Sequence, residues 1–501
     1  MRFTSLVVEL IRARPRLVVW VVVLAQAAIW LLLPLIFYGS PPGDLATVLA
    51  FGREYQVGTE LGPPLAFWLA DIAYRAAGNH IFGVYLLAQV CEIVTFIAFY
   101  RLARAVVGGP QGVLAVLLTM TVVVFSSPSV EFGPLILARP LWALLLLHSW
   151  QLIGQNRRSA WFAWSIDCGL LLLTTPAAIG MILLVVAFAL ATERGRRTLH
   201  AIDPLYALLV IIVLALPYLI WLIRADAIAL PALPALADLA ARARRWGVVL
   251  GGLIVATAAI VLLVILNSRW FARSGDDSPV IYRPAVGPLA QRFVYFFAFA
   301  PAIAGSFIAG LFNLGQVFGG AGVALLMSGL AVVVATGDLI HLRRQRLLRS
   351  VWAGAVAAPA AVAVAAALFL PWTSTTELQT SLPSAAIGRF FDDSYERRTN
   401  QRLRAVAGDP EIASLIAMAA RRPHLLLDAT PQRTPWLSIA KFNETGGVVV
   451  WRAQDTAGTP PPELAQRFPG LVPEVPRAFD RLVNGRLPVL RIGWAIVRPK
   501  G

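Results

Sequence analysis

The chain has 501 residues, of which 58% are hydrophobic and only 14% are charged. Soluble proteins carry about a quarter charged residues, so this composition excludes an ordinary soluble protein and indicates a polytopic membrane protein. The net charge of +16 does not indicate nucleic-acid binding, because the arginines form short clusters between apolar runs, as cytoplasmic loops do. Cys91 and Cys168 lie in apolar runs and form neither a disulfide framework nor a zinc spacing.

The apolar runs predict the membrane helices. A helix needs roughly 20 apolar residues to cross the hydrocarbon core. On that criterion we expect about eleven transmembrane helices, the third, fifth and sixth of them short, with a retained first helix rather than a signal peptide. The runs are residues 16–38, 81–102, 112–125, 135–152, 161–173, 177–191, 205–223, 246–266, 293–312, 319–334 and 351–370.

Arginine placement predicts the orientation of this bundle. The basic residues before the first run place the N-terminus in the cytoplasm, and five later basic loops then fall on the same side. The cluster at 242–245 falls on the outer side, where it either gathers anionic head groups or marks an error in the helix count. The outer face carries the tail after residue 372 and the acids of the first two outer loops, namely Asp44, Glu54, Glu60 and Glu131.

The tail differs from the rest of the chain. Its apolar runs shorten, its charge rises, and the order of patterns is strand, helix, strand, followed by two more strands. We therefore predict a transmembrane domain over residues 1–372 and a small periplasmic α/β domain over residues 373–501. The predicted strands are 402–408, 424–428, 447–452 and 487–497, the helix is 410–421, and the Pro-rich stretch 456–476 is predicted to be a loop.

Residues 43–68 are the stretch with the clearest functional pattern. Asp44 follows the first membrane helix, and Pro63-Pro64-Leu65 comes 19 positions later. Taken alone, Asp44 is equally a solvated loop charge or a general base. The pattern resembles the first outer loop of the C-type membrane glycosyltransferases, in the superfamily of protein mannosyltransferases and lipid A aminoarabinose transferases. There an Asp-Glu pair follows the first helix and a His-Pro-Pro-Leu element opens an amphipathic one.

The chain departs from that family pattern at three places. The Glu after the Asp is replaced by Leu45, and the His before Pro-Pro is replaced by Gly62. The lysine that meets a lipid phosphate in many members is replaced within residues 174–176. The resemblance therefore implies Asp44 as the main catalytic acid or base and leaves metal dependence open.

The resemblance implies an inverting glycosyltransferase of the bacterial inner membrane, surrounded by membrane lipids and independent of nucleic acid. The donor would be a polyprenyl-phosphate-linked sugar. The acceptor would be a lipid, lipopolysaccharide, polysaccharide or protein hydroxyl at the outer face. Two alternatives stay open: a multi-pass transporter or lipid flippase, and a relative that kept the scaffold but lost catalysis.

Further side chains are candidates for donor or acceptor binding. Glu131 could bind the donor sugar, or could hold a divalent ion such as Mg²⁺ or Mn²⁺ together with Asp44. Arg139, inside the fourth predicted helix, either contacts a lipid phosphate or extends to the interface. Arg53 could meet phosphate and Tyr55 could stack on a sugar, although an ordinary interfacial segment is the simpler explanation. Glu60 belongs to the same group by position.

For the other polar residues a structural role is the simpler interpretation. Glu92 lies deep in the second predicted helix and should pair with a polar group of a neighbouring helix, which the sequence does not identify. In the tail, His424, Asp428 and Asp409 lie at predicted strand ends and are expected to be structural. The pair Asp392-Asp393 is expected to lie on a solvated helix face.

Overall fold

A computed structural model of the chain describes residues 3–59, 61–127, 130–225, 238–268, 279–426, 435–453, 455–483 and 485–499. Most of these residues are helical. The helices before the tail are α1 Phe3–Ala13, α2 Pro15–Phe37, α3 Leu45–Gly52, α4 Leu65–Ala76, α5 Phe82–Val107, α6 Gly109–Met120, α7 Val123–Ser126, α8 Pro134–Ile153, α9 Ala160–Leu172, α10 Ala178–Ala191, α11 Glu193–Leu199, α12 Asp203–Arg224, α13 Leu239–Ala256, α14 Ala258–Asn267, α15 Pro288–Leu311, α16 Ala321–Leu325, α17 Ser328–Ala335 and α18 Gln345–Thr373.

Every predicted apolar run coincides with a helix or a helix pair. Six described helices are individually long and apolar enough to cross a membrane, and up to eight spans result if each bent pair counts as one. The bent pairs are α10 with α11, at 111°, and α13 with α14, at 47°. Three of the remaining runs form shorter apolar helices: α6, α9, and α16 together with α17. The fold is thus that of a helical multi-pass membrane protein.

Contacts between loops show which helix ends lie together. The amide of Leu65 donates to the carbonyl of Leu173 after α9 (3.0 Å). A Cβ on Gly58 would collide with Trp221 near the end of α12. The guanidinium of Arg242 donates to the carbonyl of Leu311 at the end of α15 (2.6 Å). Arg242, the first residue of the 242–245 cluster, therefore lies at the C-terminal end of α15, where it satisfies a carbonyl left free by the helix end and favours the α15 dipole.

The tail forms a small mixed sheet with helices. Its strands are β3 Ala405–Gly408, β4 His424–Leu425, β5 Gly447–Arg452, β6 Pro473–Phe479 and β7 Leu490–Val497, and its helices are α19 Ser384–Thr399, α20 Pro410–Ala419, α21 Ile439–Thr445 and α22 Pro462–Arg467. The order is β4-β3-β5-β7-β6, with β3 parallel to β4 and β5, and with β7 antiparallel to β5 and β6. A two-stranded antiparallel pair, β1 Val280–Tyr282 and β2 Leu339–His341, lies in the membrane part.

Two details of the tail differ from the prediction. The stretch 456–476 is not all loop, because it contains α22 and the start of β6. The prolines of β6 are tolerated because this is an edge strand, where a missing N–H leaves no neighbour unpaired. Asp392 is buried and paired with Arg421 (3.1 Å) rather than solvated, whereas Asp393 is exposed as expected.

Candidate active site

The loop between α2 and α3 brings two carboxylates together. Asp44 stands directly before α3, is exposed, and makes no side-chain cap hydrogen bond. Gly43 before it has φ +58, and a Cβ there would lie 2.9 Å from a carboxylate oxygen of Glu131. Glycine at 43 is required both by its backbone conformation and by this close approach. Leu45, at the position of the family's Glu, is 1% exposed and packs into the core.

Glu131 is coupled to Asp44 electrostatically. Burial among the neighbouring segments, and then the nearby Asp44 charge, raise the pKa of Glu131 above its ordinary value. The Glu131 residue is nevertheless exposed in part to solvent. The phenol of Tyr38 is close enough that burial and the Glu131 charge raise the pKa of Tyr38 as well. Two predicted site residues from separate loops therefore form one acidic pair.

The segment after α18 covers this loop. The Gln379 side-chain amide donates to the Gly43 carbonyl (3.0 Å), and the Ser384 hydroxyl donates to the Gly39 carbonyl (2.7 Å). The Gly39 amide donates in turn to the Thr380 carbonyl (2.8 Å). The backbone that positions Asp44 is therefore held from two sides, by α2 and by the beginning of the tail.

Arg139 is engaged in an ion pair of its own and is not an unpaired cation beside Asp44 and Glu131. It is 8% exposed in α8, and its guanidinium donates to the carboxylate of Glu92 on α5. Its Cζ also lies 5.5 Å from the centre of the Phe125 ring, and Gly322 allows α16 to pack directly on it. The partner of Glu92 that the sequence left unassigned is thus Arg139. Because both charges are removed from solvent, loss of either partner would leave an unpaired buried charge between α5 and α8.

The other predicted binding residues separate from Asp44. Arg53 follows α3, whose eight residues at 1.5 Å each separate the ends of the helix by about 12 Å. Tyr55 has φ +48, and the Arg75 guanidinium covers its ring at 5.5 Å from the centroid, leaving less of that face for a sugar. Glu60 and Asp428 lie outside the described residues.

Arg53 faces a cavity of about 640 Å³ between α3 and the tail, which we call the basic cavity. This site was not predicted from the sequence. The available signal was the alternation Arg402-Leu403-Arg404, which places two arginines on one face of an extended segment. The described residues that line the cavity are Arg53, Arg402, Leu403, Arg404, Ala405, Arg421, Arg422, His424, Trp436, Leu437, Lys441 and Thr445.

The structure explains two departures from the family pattern. Gly62 has φ +127, a backbone conformation in which the family's histidine would be strained. The loop at 174–176 is internally satisfied, since the hydroxyl of buried Thr174 donates to Leu170 O (2.7 Å) and that of Thr175 accepts from Ala177 N (3.3 Å). Asp409 acts as the N-cap of α20, as expected for a structural residue.

The described residues hold no metal site built by protein alone. Among the described residues, no group of three or more His, Cys, Asp or Glu side chains could hold an ion. The acidic pair supplies two carboxylates, which suffices for Mg²⁺ only where substrate oxygens complete the coordination.

Comparison with known proteins identifies the fold that carries this site. The chain matches the structure of ArnT from Cupriavidus metallidurans bound to undecaprenyl phosphate, with a TM-score of 0.60 and 14% identity over 96% of this chain and 99% of that one. Residues 62–221 match the family model of dolichyl-phosphate-mannose-protein mannosyltransferases. This is a C-type glycosyltransferase fold.

Further comparisons agree with that fold. The apo form of the same ArnT matches with a TM-score of 0.60 and 13% identity over 96% of this chain and 99% of that one. The mycobacterial arabinofuranosyltransferase AftD matches with a TM-score of 0.50 and 13% identity over 95% of this chain and 40% of that one. No curated protein matches by sequence. The resemblance predicted from residues 43–68 is confirmed, and the C-type fold and family model together support a glycosyltransferase.

Proposed function

We propose that the protein is an inverting glycosyltransferase that moves a sugar from a polyprenyl-phosphate carrier to a hydroxyl at the outer face of the bacterial inner membrane. The observation that carries the proposal is the acidic pair of Asp44 and Glu131, held at one end of a C-type bundle. The undecaprenyl phosphate bound to ArnT supports the class of carrier. The acceptor class would be a lipid, lipopolysaccharide, polysaccharide or protein.

The reaction needs a base beside the acceptor hydroxyl. The hydroxyl oxygen attacks the anomeric carbon, the bond from that carbon to the phosphate oxygen breaks, and the carrier leaves as polyprenyl phosphate. Asp44 would take the hydroxyl proton, because it is exposed and its carboxylate is not used to cap α3. Glu131 would bind the sugar, since burial and the Asp44 charge raise its pKa above that of an ordinary glutamate, and a protonated carboxyl can donate a hydrogen bond.

A divalent ion fits this proposal only if substrate oxygens complete its coordination. Asp44 and Glu131 would hold it, and it would supply positive charge to the leaving phosphate. Burial is the first cause of the raised pKa of Glu131 and the nearby Asp44 charge is the second, and a bound cation would offset that second, repulsive contribution. Transfer that is lost in a chelator and restored by Mg²⁺ or Mn²⁺ would support the ion, and transfer unaffected by the chelator would exclude it.

Orientation is part of the proposal. Asp44, Glu131 and the tail lie at one end of the bundle, and the arginine pattern places that end in the periplasm. A lipid-linked donor is the form of activated sugar expected there, because nucleotide sugars are cytoplasmic. A reporter fused after residue 501 that is active only in the cytoplasm would contradict this orientation.

The test compares envelope glycolipids by mass spectrometry in a deletion strain complemented with wild type, Asp44→Asn or Asp203→Asn, at matched membrane levels. Asp203 is a suitable control because it begins α12, at the end of that helix opposite Trp221, and pairs with the exposed Arg158 (2.8 Å). We expect one sugar-sized mass increment to be restored by wild type and by Asp203→Asn but not by Asp44→Asn. Full rescue by Asp44→Asn would remove Asp44 from the chemistry and favour a transport or non-catalytic role.

A further inference from the structure

The basic cavity has an unusual charge. Of its described lining residues, six are arginine or lysine, one is His424, and none is acidic. Its volume of about 640 Å³ falls in the range of about 300–1,000 Å³ that is common for small-molecule sites. It can therefore hold a charged sugar-sized group rather than only a bare ion.

Part of this charge is already neutralised by neighbouring acids. Arg422 donates to Asp71, Arg421 lies 3.1 Å from Asp392, and the His424 ring nitrogen lies 2.7 Å from Glu54.

The charge of three other arginines in the cavity is not neutralised by a neighbouring carboxylate of the described residues. Within the described part of the chain, no carboxylate forms an ion pair with Arg53, Arg402 or Arg404, and Nη1 of Arg53 is buried without a hydrogen-bond partner. Burial lowers the pKa of Arg53, Glu54 opposes this, and Arg422, Arg75 and Arg402 lower it further. The guanidinium is therefore held in a positive field that a bound anion would relieve.

The wall of the cavity is partly apolar and rigid. Trp436 is fixed there, since its indole N–H donates to the Leu425 carbonyl (3.1 Å) and its ring meets Phe51 edge-on at 5.3 Å. Aromatic rings beside charged donors are a common arrangement in ligand sites. The site thus combines an apolar surface with several cationic donors.

Distance decides which substrate the cavity serves. The donor phosphate is bonded to the reacting carbon, which must lie close to the acceptor hydroxyl and so to Asp44. Asp44 and Arg53 flank α3 and are nine residues apart, which places their backbones about 14 Å apart along the helix axis. An anion in the basic cavity is therefore more naturally part of the acceptor than of the donor.

We propose that the basic cavity binds an anionic group of the acceptor, a phosphate ester or a carboxylate, that lies roughly 10–15 Å from the attacking hydroxyl. Arg402 and Arg404 would contact it from the tail and Arg53 from the end of α3. This inference rests on the proposed transferase function, so binding and transfer are tested separately.

The binding test uses inorganic pyrophosphate and purified full-length protein in zwitterionic nanodiscs. We compare wild type with the double variant Arg402→Gln/Arg404→Gln by calorimetry. The matched control is Arg389→Gln/Arg397→Gln, two exposed arginines of α19 that donate to carbonyls of their own helix. Charge-assisted contacts predict binding at least about tenfold weaker in the cavity variant, and unchanged binding in the control. Equal affinity in all three proteins would overturn the proposal.

The source of the anion is tested next. Nanodiscs containing phosphatidylglycerol should not compete with pyrophosphate, and competition that the cavity variant abolishes would assign the site to bilayer lipid instead. In transfer assays the cavity variant should raise the KM for acceptor about tenfold with the KM for donor unchanged. A raised donor KM would assign the cavity to the donor. If no transfer occurs in any protein but pyrophosphate binding follows the arginines, the proposed function fails while the anion site stands.

Discussion

Asp71 on α4 is predicted to hold the tail against the membrane part. Its side chain is fully buried, it lies 2.7 Å from Arg75 one turn along α4, and it accepts from Arg422 of the tail. The Tyr74 hydroxyl donates to the Met418 carbonyl (3.4 Å) beside it. Replacing Asp71 with Asn keeps the shape but removes the charge that both guanidinium groups share. We expect this interface to open more often as a result.

The magnitude follows from burial. Removing one partner of a buried ion pair costs about 3–5 kcal/mol, whereas an exposed pair contributes about 0–1 kcal/mol. The Arg75 side chain is 51% exposed and belongs to the second class, while Arg422 is 16% exposed and belongs to the first. We therefore expect a loss near the lower bound, about 3 kcal/mol. Since about 1.4 kcal/mol corresponds to a factor of ten, local opening should increase about 100-fold.

Hydrogen exchange on the full-length protein in detergent measures this opening. Amides of α4 and α20 should exchange about 100-fold faster in Asp71→Asn. The control is Glu193→Gln on α11, which removes an ion pair of the same spacing whose side chains are 72% and 76% exposed. A change of threefold or less in Asp71→Asn, or the same change in the control, would refute the argument. In a double-mutant cycle, Arg422→Gln should add little to Asp71→Asn.

Two further predictions concern the site loops. Because the pKa of Glu131 is raised in the folded state, folding binds a proton there, and stability should fall as pH rises from the ordinary carboxyl pKa through the raised one. Thermal unfolding between pH 4 and 8 should lose this component in Glu131→Gln, and an unchanged pH profile would contradict it. Gly62→His and Gly62→Ala should each destabilise by about 1–3 kcal/mol, because φ +127 strains any side chain. The control Gly251→Ala, in α13 with open space around it, should not destabilise the protein. Equal melting temperatures for all three variants would argue against backbone strain at position 62.

The sequence predicted the positions of the helices well, because apolar runs are a local property of the chain. The long apolar runs can be recognised one by one, the shorter ones stand out by their hydropathy, and arginine clusters mark loop ends independently of packing. Counting helices predicts that Asp44 and Glu131 lie on the same face of the membrane. Their adjacency required Gly43, whose missing side chain lets the Glu131 loop approach, and no periodicity in the sequence shows such a contact.

Pairing inside the bundle could not be predicted in the same way. Glu92 and Arg139 were each recognised as costly charges at membrane depth, but their contact depends on the rotation of α5 and α8 about their axes. The basic cavity is a stronger case. Arg53 and Arg404 are about 350 residues apart in the chain and meet only because the tail folds back onto α3. Local patterns cannot carry that information, since the charge becomes unusual only when the segments meet.

The short helix α3 connects the two sites physically. At its beginning, Gln379 holds the backbone of Gly43 beside Asp44, and at its end His424 pairs with Glu54 beside the basic cavity. Its eight residues form about two turns, too short to bend appreciably, so the separation of the two sites is set by a rigid element. An acceptor that engages both sites would be selected by the spacing between its anionic group and its hydroxyl. That spacing is set by α3 and its two contacts with the tail. Selection of the acceptor would therefore depend on the tail and the membrane helices together.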